Sequence, residues 1–135
     1  MKKQISNYLL SLGDKQQKDM MWLHERISKL QPELSFFDGK DAGGKVVSNP
    51  QIGYGKWVKS NADGSVKTLF KVGISANSRG ISVYIMGLED KNYLKETYGE
   101  SLGKAKVTGY CIQFAQLKDV QQEVLLQIIA EHLSN

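Results

Sequence analysis

The sequence contains little cysteine, histidine and proline, and it has no long apolar run. Its single cysteine, Cys111, excludes a disulfide within the chain and is typical of a reducing cytoplasm. The longest apolar runs are far too short to cross a bilayer, and the patch behind Lys2 and Lys3 is not the core of a signal peptide. We therefore expect a cytoplasmic protein with no membrane partner.

Residues with metal-binding or catalytic chemistry are also sparse. His24 and His132 fall in different predicted helices, and no pair of His, Cys, Asp or Glu has metal-ligand spacing with a second partner nearby. The sequence contains neither a phosphate-binding glycine loop nor the glycine–serine elbow of hydrolases. We expect no metal ion and no cofactor, and Cys111, near Lys104 and Lys106, is the one candidate nucleophile.

Length and composition predict one domain over residues 1–135. A hydrophobic content of 41% and a charged content of 24% are ordinary for a soluble globular protein. The net charge of +4 weakly favours anionic partners. A solvated, lysine-rich surface is the simpler explanation of that charge.

Residues 69–86 organise the predicted fold. Apolar residues alternate with others in two runs, 70–75 and 81–86, and a polar break with Asn77 and Gly80 separates them. Period-two alternation predicts strands with one buried face, and the break predicts a short connection. We therefore predict a β-hairpin at the centre of a small sheet. Its buried side begins with Phe70, Val72 and Ile74.

Two longer segments, about 14–30 and 119–133, repeat apolar residues with helical spacing. Each opens on a residue pair with the spacing of a capping box. Helices before and after a group of strands predict an α+β fold, in which an antiparallel sheet has the N- and C-terminal helices packed on one face. The capping pairs are Asp14 with Gln17 and Asp119 with Gln122.

The remaining predicted elements are shorter. The segment from 32 to 49 is interpreted as irregular, and the second half of 49–59 as a strand. In the last strand, Tyr110 shares a face with Ile112 and Phe114. The other predictions are helices over 4–12 and 89–98 and the last strand over 107–114.

The sheet face without helices is where we expect function. Small residues beside aromatic and sulfur-containing side chains can line a concavity for a small molecule or a protein partner. Aromatic residues beside cations also occur on sheets that bind nucleic acid, but no ribonucleoprotein motif is present, so we do not expect nucleic acid. A solvated face or a homodimer contact is the alternative. The candidate ligand-binding residues are Tyr54, Lys56, Trp57, Tyr84, Lys104, Lys106 and Cys111.

Four segments resemble the YdhG-like family, a domain family of unknown function. The resemblance extends from about Tyr8 to Leu133 and implies an α+β sandwich similar to frataxin. One branch of that family is linked to iron delivery through an acidic ridge, whereas here the acidic residues of the first long helix are mixed with lysine and arginine. The resemblance therefore implies the fold without the iron. The segments are 50–55, 81–86, 102–112 and 117–120.

These observations predict a non-enzymatic cytoplasmic binding module that uses the open face of its sheet for a small ligand or a protein partner. Two alternatives remain. One is a frataxin-like intracellular iron chaperone, and the other is an enzyme that uses the thiol of Cys111.

Overall fold

The computed structural model describes residues 2–134 and has an α+β fold with helices towards both ends of the chain. Its elements, in chain order, are α1 (Lys2–Leu10), α2 (Asp14–Ser28), β1 (Leu34–Phe37), β2 (Gln51–Tyr54), β3 (Trp57–Ser60), β4 (Val66–Leu69), β5 (Val72–Asn77), β6 (Gly80–Ile85), α3 (Tyr93–Tyr98), β7 (Lys106–Thr108), β8 (Cys111–Phe114) and α4 (Gln122–Leu133).

The main sheet has six antiparallel strands in the order β1-β2-β5-β6-β8-β7, and β3 and β4 form a separate two-stranded sheet. The predicted central hairpin is confirmed, because β5 and β6 pair over their whole length. Its turn is tighter than predicted, with only Ser78 and Arg79 between the strands. The side-chain amide of Gln16 donates to the carbonyls of Asn77 and Gly80, at 2.7 and 3.2 Å, and so fixes the turn to α2.

The core lies between the sheet and the helices. Alternate residues of neighbouring strands align in apolar rows, one of which runs Ile52–Ile74–Val83–Ile112 and is fully buried. α1 is joined to the same side, since the Tyr8 hydroxyl accepts a 2.9 Å hydrogen bond from the N–H of Ala76. The helices contribute Ile5, Leu9, Met20, Leu23, Ile27, Leu125, Ile128 and Ile129 to this core.

Neither predicted capping box forms. α2 begins at Asp14 with Gly13 in the N-cap position, and no side chain caps it. The side-chain amide of Gln17 instead donates to the Leu9 carbonyl at 3.0 Å, which ties the end of α1 to α2. The capping box does not form because α1 lies close to α2 and offers the Gln17 side chain a different acceptor, the Leu9 carbonyl.

The second capping prediction fails for a tertiary reason as well. Asp119 lies in a short 3₁₀ turn, and α4 begins later, with Gln121 as its N-cap. The backbone at this point is already engaged, since the Asp119 carbonyl accepts from Lys104 and the Gln121 N–H donates to Leu102. These contacts hold the chain extended through Val120 and delay the helix.

Three further boundaries differ from the sequence-based expectation. The segment predicted to be irregular contains β1, and the predicted last strand is two strands, β7 and β8, joined by a turn. Tyr110 lies in that turn and is 55% exposed, so it does not share the buried face of Ile112 and Phe114. α3 is shorter than predicted and begins at Tyr93.

The pairing of β2 with β5 continues, through a bend, into the pairing of β3 with β4. The bend passes through Gly55, which has a φ of 76°, on one side and through Phe70 and Lys71 on the other. The Lys71 N–H donates to the Tyr54 carbonyl at 3.0 Å and holds the two sides together there. We call residues 57–69 the arm. No helix within residues 2–134 has both the length and the apolar character that a membrane span requires.

Candidate functional site

The sheet face opposite the helices carries the second set of alternating residues. Strand register places Gly53, Gly73, Tyr84 and Cys111 in one row across it. Gln113 lies on the same face, opposite Ser82. These residues of β5, β6 and β8 therefore share the sheet face that points away from the core.

The centre of this face carries small residues, among them two serines. Ser75 and Ser82 are buried although no helix covers them. The Ser75 hydroxyl donates to the Pro50 carbonyl at 2.6 Å, and the Ser82 hydroxyl accepts from the Asn77 side-chain amide at 3.2 Å. Both hydroxyls are thus satisfied within the protein, so the centre of the sheet offers few polar groups to a ligand.

Phe70 lies on this face, and its predicted place on the buried side beside Val72 is wrong. The residue precedes β5 at the bend, where the chain turns and the strand alternation is lost. Its ring packs directly on two glycines: a Cβ added to Gly73 would meet the ring at 2.5 Å, and one added to Gly53 would meet it at 2.9 Å. The paired glycines therefore form a seat for the aromatic ring.

A groove of about 620 Å³ lies beside this ring, between β1 and the arm. Residues 33–37 line one side, and residues 67–70 line the other. Gln51 and Met86 contribute from the sheet. Most of the lining surface is apolar, which is typical of small-molecule sites.

Charged side chains stand at the edges of the groove. Lys56 and Lys67 line it from the bend and the arm, and Glu33 lines it from the chain entering β1. All three are exposed. The one ion pair found between residues 2–134 joins Lys29 to Glu25 at 4.0 Å, so neither groove lysine is engaged in such a pair there.

Of the predicted site residues, Lys56 lies in this groove and Tyr54 lies in the core. Tyr54 is fully buried, because it pairs with Leu34 and Val72 and shares their helix-facing side. Its placement on the open face is therefore wrong. The predicted strand continues past Gly55, whereas the actual chain bends there, and β2 ends at Tyr54.

The other predicted residues are spread over the surface. Trp57 is half-buried in the arm, where its ring approaches Gly87. Tyr84 and Cys111 are neighbours on the sheet, away from the groove. The remaining two, Lys104 and Lys106, are exposed at and near the opposite edge strand, β7.

The environment of Cys111 does not favour a thiolate. Burial raises the pKa of this thiol above its ordinary value, and a hydrogen bond with Ser82 offsets only part of that rise. The pKa of the neighbouring Tyr84 hydroxyl is raised as well, first by burial and second by the charge of Cys111. A thiol that remains protonated at neutral pH is a weak nucleophile.

Among the residues that the structure describes, no group of three or more acidic, histidine or cysteine side chains has the arrangement needed to hold a metal ion. Asp38 and Asp41, in the loop after β1, accept hydrogen bonds from nearby backbone N–H groups instead.

Half-buried His24 of α2 and buried Tyr54 of β2 form a polar contact between a helix and the sheet. His24 Nδ1 and the Tyr54 hydroxyl share a hydrogen bond of 2.7 Å. Burial lowers the pKa of His24 and raises that of Tyr54. Both shifts favour the neutral form of the side chain.

We expect the free energy of unfolding to fall as the pH is lowered from about 6.5 through the lower pKa of folded His24. Unfolded His24 binds a proton in this window more readily than the folded residue does, so acid favours unfolding. Urea titrations at a series of pH values measure the effect. His24→Gln should flatten the dependence in this window, and a dependence that His24→Gln leaves unchanged would contradict the assignment.

Several residues of the groove were not predicted because the strand β1 was not predicted. Ser35 and Phe37 belong to a strand predicted to be irregular, and Lys67 and Leu69 lie on β4, for which we predicted no role. The one available signal was the apolar run that follows Pro32.

Comparison of the chain with protein-family models, with curated proteins and with solved structures finds no match, and the resemblance to the YdhG-like family stays a prediction.

Proposed function

We propose that this protein is a non-enzymatic binding module that holds a small ligand in the groove between β1 and the arm. The observation that carries the proposal is an apolar groove on the one sheet face that the helices leave uncovered. Its volume of about 620 Å³ lies within the range of roughly 300–1,000 Å³ that is typical of small-molecule sites.

The chemistry of the groove favours binding over catalysis. Phe37, Leu69, Phe70 and Met86 offer apolar surface, with Ser35 and Gln51 as uncharged polar neighbours. The cysteine and both histidines lie outside it, since Cys111, His24 and His132 all belong to other parts of the fold. Such a lining suits the recognition of an apolar body.

The walls of the groove are supported by the fold. β1 is held by its pairing with β2, and the seat of paired glycines holds the ring of Phe70. Side chains on paired strands hold their geometry better than those on loops. The groove is therefore largely formed before a ligand arrives.

A titration with 1-octanol, followed by the backbone amide signals in NMR spectra, tests the proposal. We expect saturable shifts at Ser35, Leu69 and Met86, and we expect Gln51→Trp to weaken binding at least about tenfold because the indole occupies the groove. Gln113→Trp is the matched control, since both glutamines are half-buried on the same sheet face but only Gln51 lines the groove.

Two results would overturn the proposal. One is the absence of saturable shifts anywhere in the protein. The other is a set of shifts centred on Tyr84 and Cys111 and lost in Gln113→Trp, which would place the binding surface on the neighbouring part of the sheet.

A further inference from the structure

We infer that the ligand of this groove is an amphiphile, with an apolar body and one anionic group, a carboxylate or a phosphate, which lies at the arm. The inference rests on the proposed function and adds the chemical class of the ligand. It depends on how charge is distributed around the apolar walls.

The arm carries a concentration of positive charge on the side of the groove. Lys67 lines the groove and stands directly opposite Lys59 in the pairing of β3 with β4. Lys56, at the bend, lines the groove as well. Like charges directly opposite each other on paired strands destabilise the pair, so the folded arm bears an unfavourable interaction that a bound anion would relieve.

The opposing negative charge is smaller. Among residues 2–134, Glu33 is the one acidic side chain in the groove lining, and it belongs to the side of β1. One carboxylate does not balance Lys56 and Lys67, with Lys59 behind them. The field across the groove therefore runs from a basic arm to a mildly acidic β1 end, and an anionic group is favoured at the arm.

The apolar walls indicate that the rest of the ligand is apolar. Leu69, Phe70 and Met86 line the same groove as the lysines, so a body that extends from a head group at the arm contacts hydrocarbon and an aromatic ring. Inorganic phosphate alone would leave these walls in contact with water. We expect the apolar and ionic contacts to act together, with the apolar contacts providing most of the affinity.

Four probes of equal chain length separate these contributions: octanoate, octyl phosphate, 1-octanol and octyltrimethylammonium, each below its micelle concentration. We expect the two anions to bind about five- to tenfold more tightly than 1-octanol, because two exposed lysines each contribute a modest attraction. The cation should bind more weakly than 1-octanol. Raising the salt to 0.5 M should remove most of the difference between anion and alcohol.

Charge-matched double variants localise the effect. Lys56→Gln with Lys67→Gln should remove the preference for the anion, so that the variant binds octanoate no more tightly than it binds 1-octanol. Lys104→Gln with Lys106→Gln removes the same charge at the other edge of the sheet and should leave octanoate binding within about twofold of wild type. All four lysines are exposed, so we expect both variants to fold.

The outcomes separate this inference from the proposed function. Equal affinity of the wild type for octanoate and 1-octanol would overturn the inference and leave the groove as a binding site. An equal loss in the two double variants would also overturn it, since net charge alone would then explain the preference. Failure of all four probes to bind would refute the proposed function itself.

Discussion

Gly80→Ala is expected to lower the free energy of unfolding by about 3 kcal/mol, through the combined effects of a strained backbone and a clash. Gly80 begins β6 with a φ of 139°, a conformation that residues with a Cβ rarely adopt. A Cβ here would press on the carbonyl oxygen of Phe114 and lie 2.7 Å from the Cα of Ala115. Both are backbone atoms of the neighbouring segment and cannot rotate away.

Urea unfolding followed by circular dichroism measures this loss, and Gly64→Ala is the matched control. Gly64 has a φ of 88° in the exposed turn of the arm, and an added Cβ there would meet no atom within 4 Å. It therefore isolates the effect of positive φ, which we expect to be about 1 kcal/mol. A loss in Gly80→Ala no larger than that in Gly64→Ala would show that β6 and β8 are not packed as closely as described.

The parts of the fold that the sequence predicts correctly are those in which local pattern and burial agree. Val72 and Ile74 alternate with smaller residues, and Ile81 and Val83 do so on the next strand, so one register buries every apolar side chain of the hairpin. A shift of one residue would expose them all, which leaves a single solution. The terminal helices follow from periodicity in the same way.

The errors arise where tertiary contacts decide the outcome. β1 has four residues and depends on its pairing with β2, which a short apolar run does not reveal. The strand from Tyr54 onward changes direction at Gly55, and the sequence shows that glycine without showing the direction of the bend. One error concerns β1 and the other concerns the bend that leads into the arm, and β1 and the arm are the two sides of the groove. Of the predicted site residues, Lys56 alone therefore lies in the groove.

Removing the Phe70 ring and adding a Cβ against that ring should have non-additive effects on the free energy of unfolding. This non-additivity tests whether the ring forms a wall of the groove. We expect Phe70→Ala and Gly73→Ala each to lower the free energy of unfolding by about 2 kcal/mol: the first because it removes a half-buried ring, the second because a Cβ displaces that ring. In the double variant the three ring atoms nearest to that Cβ are absent, so its own effect should nearly disappear. The double variant should therefore be more stable than the sum of the single losses predicts, by at least about 1 kcal/mol.

Urea unfolding of the four proteins completes the cycle, and Gly109 supplies the control glycine. A Cβ at Gly109 would meet Lys91 no closer than 3.5 Å, far from the ring of Phe70, so Gly109→Ala and Phe70→Ala should combine additively. Additive losses for Phe70 and Gly73 would mean that the ring is not seated on the glycines. The groove would then lack the wall against which we expect the apolar body of a ligand to pack. That wall depends on glycine at both Gly53 and Gly73, which are paired across β2 and β5.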